Sequence, residues 1–194
     1  MAEDLEEIKK WYIDEVCKKL ERWGVYENYV QAVVEKSKIL ESFDKNSGFQ
    51  QQYPIESTAE MVLVNAATVS VRNDAYVQEQ DIEYRLTDEL KDRKLWYIAY
   101  IYKNLEKIGA PKEYLTRIVN KSNLIDVLNA YSEIQMMHPI DSVIKETLIT
   151  AACAEYEKLE NETEAEYLDR LGQNHISVFH FDSEEDFLEE LDNA

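Results

Sequence analysis

The run Lys94-Leu95-Trp96-Tyr97-Ile98, leading on to Gly109, is a second copy of Lys9-Lys10-Trp11-Tyr12-Ile13, which leads on to Gly24. The offset, from Trp11 to Trp96, is 85 residues. It holds without a gap through Leu20/Leu105, Tyr29/Tyr114, Val34/Val119, Ser37/Ser122, Pro54-Ile55/Pro139-Ile140, Leu63/Leu148 and Ala66-Ala67/Ala151-Ala152. Roughly a third of the positions from Lys9 to Ala67 match their partners, far above chance, so two related units in tandem are the first constraint on the fold. The register persists to Arg85-Leu86 against Arg170-Leu171, which divides the chain into units 1–86 and 87–171 and a tail, 172–194.

Within each unit the apolar spacing is helical. Leu5, Ile8, Tyr12, Val16, Leu20 and Trp23 recur every three or four residues, as do Tyr97, Ile101, Leu105 and Ile108 two turns after Leu90, and Gly24 and Gly109 follow where a left-handed residue ends a helix. A second helix carries Tyr29, Val30, Val33 and Val34 in unit one, and Tyr114, Leu115, Ile118 and Val119 after Pro111 in unit two. Lys36-Ser37-Lys38 and Lys121-Ser122-Asn123 read as breaks or bends, each leading to a short apolar segment, Ile39-Leu40 with Phe43 and Leu124-Ile125 with Val127-Leu128, that is a candidate for a separate short helix. Pro54 and Pro139 disfavour a helical residue before them, so new helices are predicted to start at Ile55 and Ile140, the latter running to about Glu160. A further polar helix is predicted over Ala75 to Leu86. With only 4 Gly and 3 Pro in 194 residues, the turns that strands require are scarce. The expectation is an all-α protein of six to eight helices, built as two three-helix units packed with pseudo-twofold symmetry.

The formal charge is −19, from 40 acidic against 21 basic side chains. That disfavours direct binding to nucleic acid or an anionic membrane, where basic groups displace counterions, and favours a basic protein partner or simple solubility. No apolar run reaches the ~20 residues that span a bilayer, and Met1-Ala2-Glu3-Asp4 begins acidic where a signal peptide begins basic, so a cytoplasmic protein is expected. From Glu155 onward, 14 acids stand against Lys158 and Arg170. In the tail, His175 to Phe181 alternates like a short strand. After it, Ser183-Glu184-Glu185-Asp186 suits the start of a helix whose apolar stripe is Phe187, Leu188 and Leu191. That helix is a candidate partner-binding element; a solubilising end is the plainer alternative.

Residues kept in both copies read as core, so Trp11, Tyr12, Leu20, Trp96, Tyr97 and Leu105 are expected to be structural, Trp11 and Trp96 as core or inter-unit contacts. Function is sought where the copies differ. Tyr100 and Tyr102 replace Glu15 and Cys17, and mark either a helix buried all round or a partner-binding face with tyrosine anchors. Cys17 and Cys153 occupy unrelated positions and read as small apolar residues rather than a disulfide. No spacing of His, Cys and carboxylate matches a metal site, nothing pairs a cysteine with His138 for nucleophilic chemistry, and the four isolated glycines form no phosphate loop. No catalytic residue, cofactor or metal is assigned.

The segment Leu124 to Ile144 has an apolar helix leading to Tyr131, an apolar-His pair at Met137-His138, and a new helix that opens on the acidic turn at Asp141. It resembles a small bacterial helical-domain family of unknown function whose members are often encoded beside ADP-ribosyltransferase-like toxins. The resemblance covers about 60 residues of unit two and implies a partner or neutralising role, with Tyr131 and His138 as structural positions; unit one departs from it with Asn46 and Tyr53. The expected function is a non-catalytic, antitoxin-like or inhibitory protein that sequesters another protein. The alternatives are a nucleic-acid mimic that inhibits a defence or DNA-processing enzyme, and an enzyme of unfamiliar type.

Overall fold

The structure is a computed structural model that describes residues 2–45, 54–72, 74, 77–131, 136, 138–154 and 163, with side chains in the first stretch from 6 to 42. Every regular element among them is helical: α1 (Ala2–Arg22), α2 (Glu27–Lys36), α3 (Ile39–Lys45), α4 (Ile55–Val71), α5 (Glu79–Arg85), α6 (Lys91–Lys107), a 3-10 turn (Lys112–Tyr114) leading into α7 (Leu115–Lys121), α8 (Leu124–Ala130) and α9 (Ile140–Cys153). The described residues therefore hold nine α-helices, more than the six to eight expected. The surplus arises because the breaks at Ser37 and Ser122 each release a separate short helix.

Those breaks have the same construction at both offset positions. The Ser37 hydroxyl donates to the Val34 carbonyl at 2.6 Å and the Ser122 hydroxyl to the Val119 carbonyl at 2.7 Å, which turns each serine inward at the end of its helix. Each serine oxygen then accepts from the backbone N–H that starts the next helix, Ile39 at 3.3 Å and Leu124 at 3.4 Å. Between them Lys38 and Asn123 take φ of 56° and 58°, the left-handed conformation that re-aims the chain. Gly24 and Gly109 end α1 and α6 at φ of 106° and 104°, where a side chain would be strained even though space around them is open. Pro54 and Pro139 are the N-caps of α4 and α9, and both helices begin at the following isoleucine.

Among the described residues, helices α4 and α9 make the most extensive contact. Ala59, Ala66 and Ala67 on α4, and Ala151, Ala152 and Cys153 on α9, are fully buried, and small side chains let the two backbones approach closely. The Ser70 hydroxyl donates across the seam to the Ala152 carbonyl at 3.2 Å. On one side α1 and α2 lie against α4; on the other α6 and α7 lie against α9, and α7 also reaches α4. Tyr12, Leu20, Tyr97 and Leu105 are all buried, on the stripes Tyr12-Val16-Leu20 and Tyr97-Ile101-Leu105 that α1 and α6 present inward.

The two tryptophans depart from expectation. Trp11 is 57% and Trp96 67% exposed, so neither is a core residue. Each immediately precedes the first residue of a buried stripe, and one residue turns a helix by about 100°, which carries the indole off the packed face. Retention in both copies marked the position as required, not as buried. Ile8 is likewise exposed, and α6 starts one residue after Leu90, itself an N-cap at φ 58°.

A polar strap fixes the crossing from α5 to α6. Lys94, 1% exposed, donates from Nζ to Thr87 Oγ1 at 2.7 Å and to Asn129 Oδ1 at 3.2 Å. Asn129 in turn donates from Nδ2 to the Arg85 carbonyl at 3.1 Å and accepts from the Thr87 N–H at 3.2 Å. Arg85 closes the outer side on both Asp126 oxygens, each at 3.0 Å, and on the Asn120 amide oxygen. Among the described residues no helix is long and apolar enough to cross a membrane.

Candidate functional site

Two places gather side chains that the core does not use. The first is the outer face of α6. Trp96 stacks on Tyr100 one turn later, centroids 5.5 Å apart and planes 25° from parallel, and both rings are exposed. Two stacked aromatics facing water leave apolar area unburied that a contact with another molecule would remove. Trp11 occupies the offset position on α1, beside a shallow groove lined by Glu7, Lys10, Asp14, Cys17 and Gln31.

Tyr100 and Tyr102, adjacent in the sequence argument, part company here. Tyr102 is half-buried against the core, and burial, opposed by the nearby Thr116 and reinforced by Glu79, pushes its phenol up to about 12. It is a packing residue rather than a partner anchor; Tyr100 alone remains on the surface. Glu184, Glu185, Asp186, Phe187, Leu188 and Leu191, with His175, His180 and the alternating segment between them, lie outside the described residues. So do Asn46 and Tyr53 and the predicted end of α9 beyond Ala154. Tyr131 terminates α8, and His138 is half-buried just before α9.

The second place is a cleft of about 220 Å³ bounded by the end of α1 and by α4, α6 and α9. Its lining includes offset partners: Trp23 and Ile108, Glu60 and Lys145, Leu63 and Leu148. The leucines, each 1% exposed, form its bottom, and the Lys145 ammonium rests 4.5 Å from the Trp23 ring centroid, with Lys19 at 5.3 Å. A cation at that range of an indole face is held electrostatically. The sequence hid this cleft because its lining comes from four segments, none with a motif of its own.

Glu146 was also missed. It is 7% exposed in the middle of α9, no hydrogen-bond partner reaches its Oε2 among the described residues, and burial pushes its carboxyl up to about 8. A carboxyl in such surroundings keeps its proton at neutral pH. The available signal was Met61 at the offset position, an apolar residue that marks the site as interior.

The cysteines are free thiols, Cys153 buried and Cys17 partly so. Burial pushes Cys153 up to about 12 despite Lys36 nearby, and raises Cys17 with Asp14 and Glu21 adding to it, so both are held away from the reactive thiolate. No group of His, Cys and carboxylate suited to a metal ion occurs among the described residues. No family model, curated protein or solved structure matches this chain.

Proposed function

We propose that this chain is a non-catalytic binding protein that captures another protein through the exposed aromatic face of α6, steered by its acidic charge toward a basic partner surface. The stacked, solvent-facing pair Trp96 and Tyr100 carries this reading, because tryptophan and tyrosine are the side chains most often found to anchor protein interfaces. A net charge of −19 speeds encounter with a cationic partner and disfavours anionic ones. An antitoxin-like or inhibitory role fits both features and agrees with the resemblance of residues 124–144 to domains encoded beside toxins.

The architecture behind this reading is a duplicated helical module, 1–86 and 87–171, packed about a pseudo-twofold axis between α4 and α9. Its support is the recurrence of serine breaks, left-handed residues, helix starts and exposed tryptophans at the 85-residue offset. The acidic tail, 172–194, adds a second contact with the same partner.

Affinity capture from cells of the source organism, with the wild-type chain, Trp96→Ala and a chain ending at 171, tests the function. A stoichiometric basic protein, retained by wild type, weakened by added salt and lost with Trp96→Ala, is the expected result. Capture unchanged by both the substitution and salt would remove the reading.

A further inference from the structure

The cleft between the two halves carries balanced charge. Glu60 and Asp141 bring two carboxylates, Lys107 and Lys145 two ammoniums. No ion pair within 4 Å joins these four to one another or to any other group among the described residues. In the first half the equivalent edge is closed: Lys19 bridges α1 to Glu56 of α4 at 3.2 Å. At the offset positions stand Asn104 and Asp141, and Asn104 spends its amide N–H on the Tyr100 carbonyl of its own helix, at 2.9 Å. The exchange of lysine for asparagine leaves the Asp141 carboxylate without its bridge. The exchange of Glu60 for Lys145 across the α4–α9 seam puts an acid on the α4 side of one cleft and a base, one turn beyond Asp141, on the α9 side, with the buried Leu63 and Leu148 also in its lining.

From this arrangement we propose that the cleft is a binding site for a small zwitterion, a free α-amino acid with an apolar side chain. The ligand's ammonium meets Glu60 and Asp141, its carboxylate meets Lys145 with Lys107 at the rim, and its side chain lies against Trp23 and the leucines. The size agrees: about 220 Å³ leaves room for a molecule of amino-acid size. The two charged ends are needed together, because either one alone leaves half of the cleft's charges without a partner. The site is separate from the outward face of α6 and stands whether or not that face binds a protein.

The chain has three tryptophans, so replacing Trp11 and Trp96 by Phe leaves Trp23 as the sole indole reporter inside the cleft. Leucine and phenylalanine are titrated into this full-length variant by fluorescence, and into the wild-type chain by calorimetry. N-acetyl-leucine, which lacks the ammonium, and leucinamide, which lacks the carboxylate, serve as single-charge controls. Saturable binding of leucine or phenylalanine at millimolar concentration or below is expected, at least about tenfold weaker for both controls. Glu60→Gln, Asp141→Asn and Lys145→Met each weaken it by a similar factor at unchanged melting temperature, the loss of roughly one charged contact. The proposal is overturned if neither amino acid binds in the millimolar range, if the controls bind as well as leucine, or if the three variants, still folded, bind as wild type does.

Discussion

The hydroxyls of Tyr12 and Thr58 lie 2.6 Å apart in the buried seam between α1 and α4. At the offset positions the second half has Tyr97 and Val143, and burial raises the Tyr97 phenol well above the usual range. Either substitution loses this buried hydrogen bond, so Tyr12→Phe and Thr58→Val are each expected to cost about 1 kcal/mol. The double variant should cost less than their sum. Urea unfolding of the four chains measures this, and strict additivity would show that the pair is not coupled.

The strap at the α5–α6 crossing separates two contacts of similar geometry and unlike worth. Asn129→Ala deprives the buried Lys94 ammonium of an acceptor and frees the Arg85 carbonyl, and is expected to cost about 3 kcal/mol. Asp126→Ala removes a bidentate partner from Arg85 in a pair whose acid is 60% exposed, and is expected to cost less than about 1 kcal/mol. Raising the salt concentration should shrink the second difference and leave the first. Equal costs would place the weight of the strap on its surface instead.

Glu146 makes stability depend on pH in a stated direction. Its carboxyl titrates near 8 in the fold against an ordinary 4.5, so between those values the folded chain holds a proton that the unfolded chain releases. Stability from this group is complete below about 4.5, falls as pH rises to about 8, and is flat above, a total of a few kcal/mol. Glu146→Met installs the residue found at the offset position and removes the charge, so the variant should match wild type near pH 4.5 and exceed it increasingly toward pH 8. Melting temperatures of the two chains across that range give the comparison. A constant difference would mean that Glu146 is ionised throughout.

How much of this was legible in the sequence depends on whether the signal was local. Gly24, Gly109, Ser37, Ser122, Pro54 and Pro139 act on their own backbone, and each helix end they imply is where the structure has it. The buried stripes through Tyr12 and Tyr97 follow from spacing alone. Trp11 and Trp96 were misread because their repetition and size both suggested packing, while the phase of the helix, set by the residue after each, decides exposure. Tyr102 faced inward and Tyr100 outward for the same reason. Glu146 and the cleft were out of reach of spacing arguments, since one is an acid inside an apolar run and the other assembles residues from four segments.

Gly24→Ala and Gly109→Ala test whether the two turns are equivalent. Neither added methyl group meets an atom within 4 Å, so the cost is backbone strain alone, about 1–2 kcal/mol at each position. Similar losses in chemical unfolding are expected from the two variants. A loss confined to one would show that the paired φ values do not carry paired energies.

The exposed face of α6 is the proposed place where a partner is held. Hydrogen exchange of the complex, set against the free chain, reads this directly once a partner is in hand. Protection should concentrate on α6 around Trp96 and Tyr100, and the Trp96→Ala chain should bind at least about tenfold more weakly, the scale of an anchoring aromatic. Protection that bypasses α6, with affinity unmoved by Trp96→Ala, would contradict it.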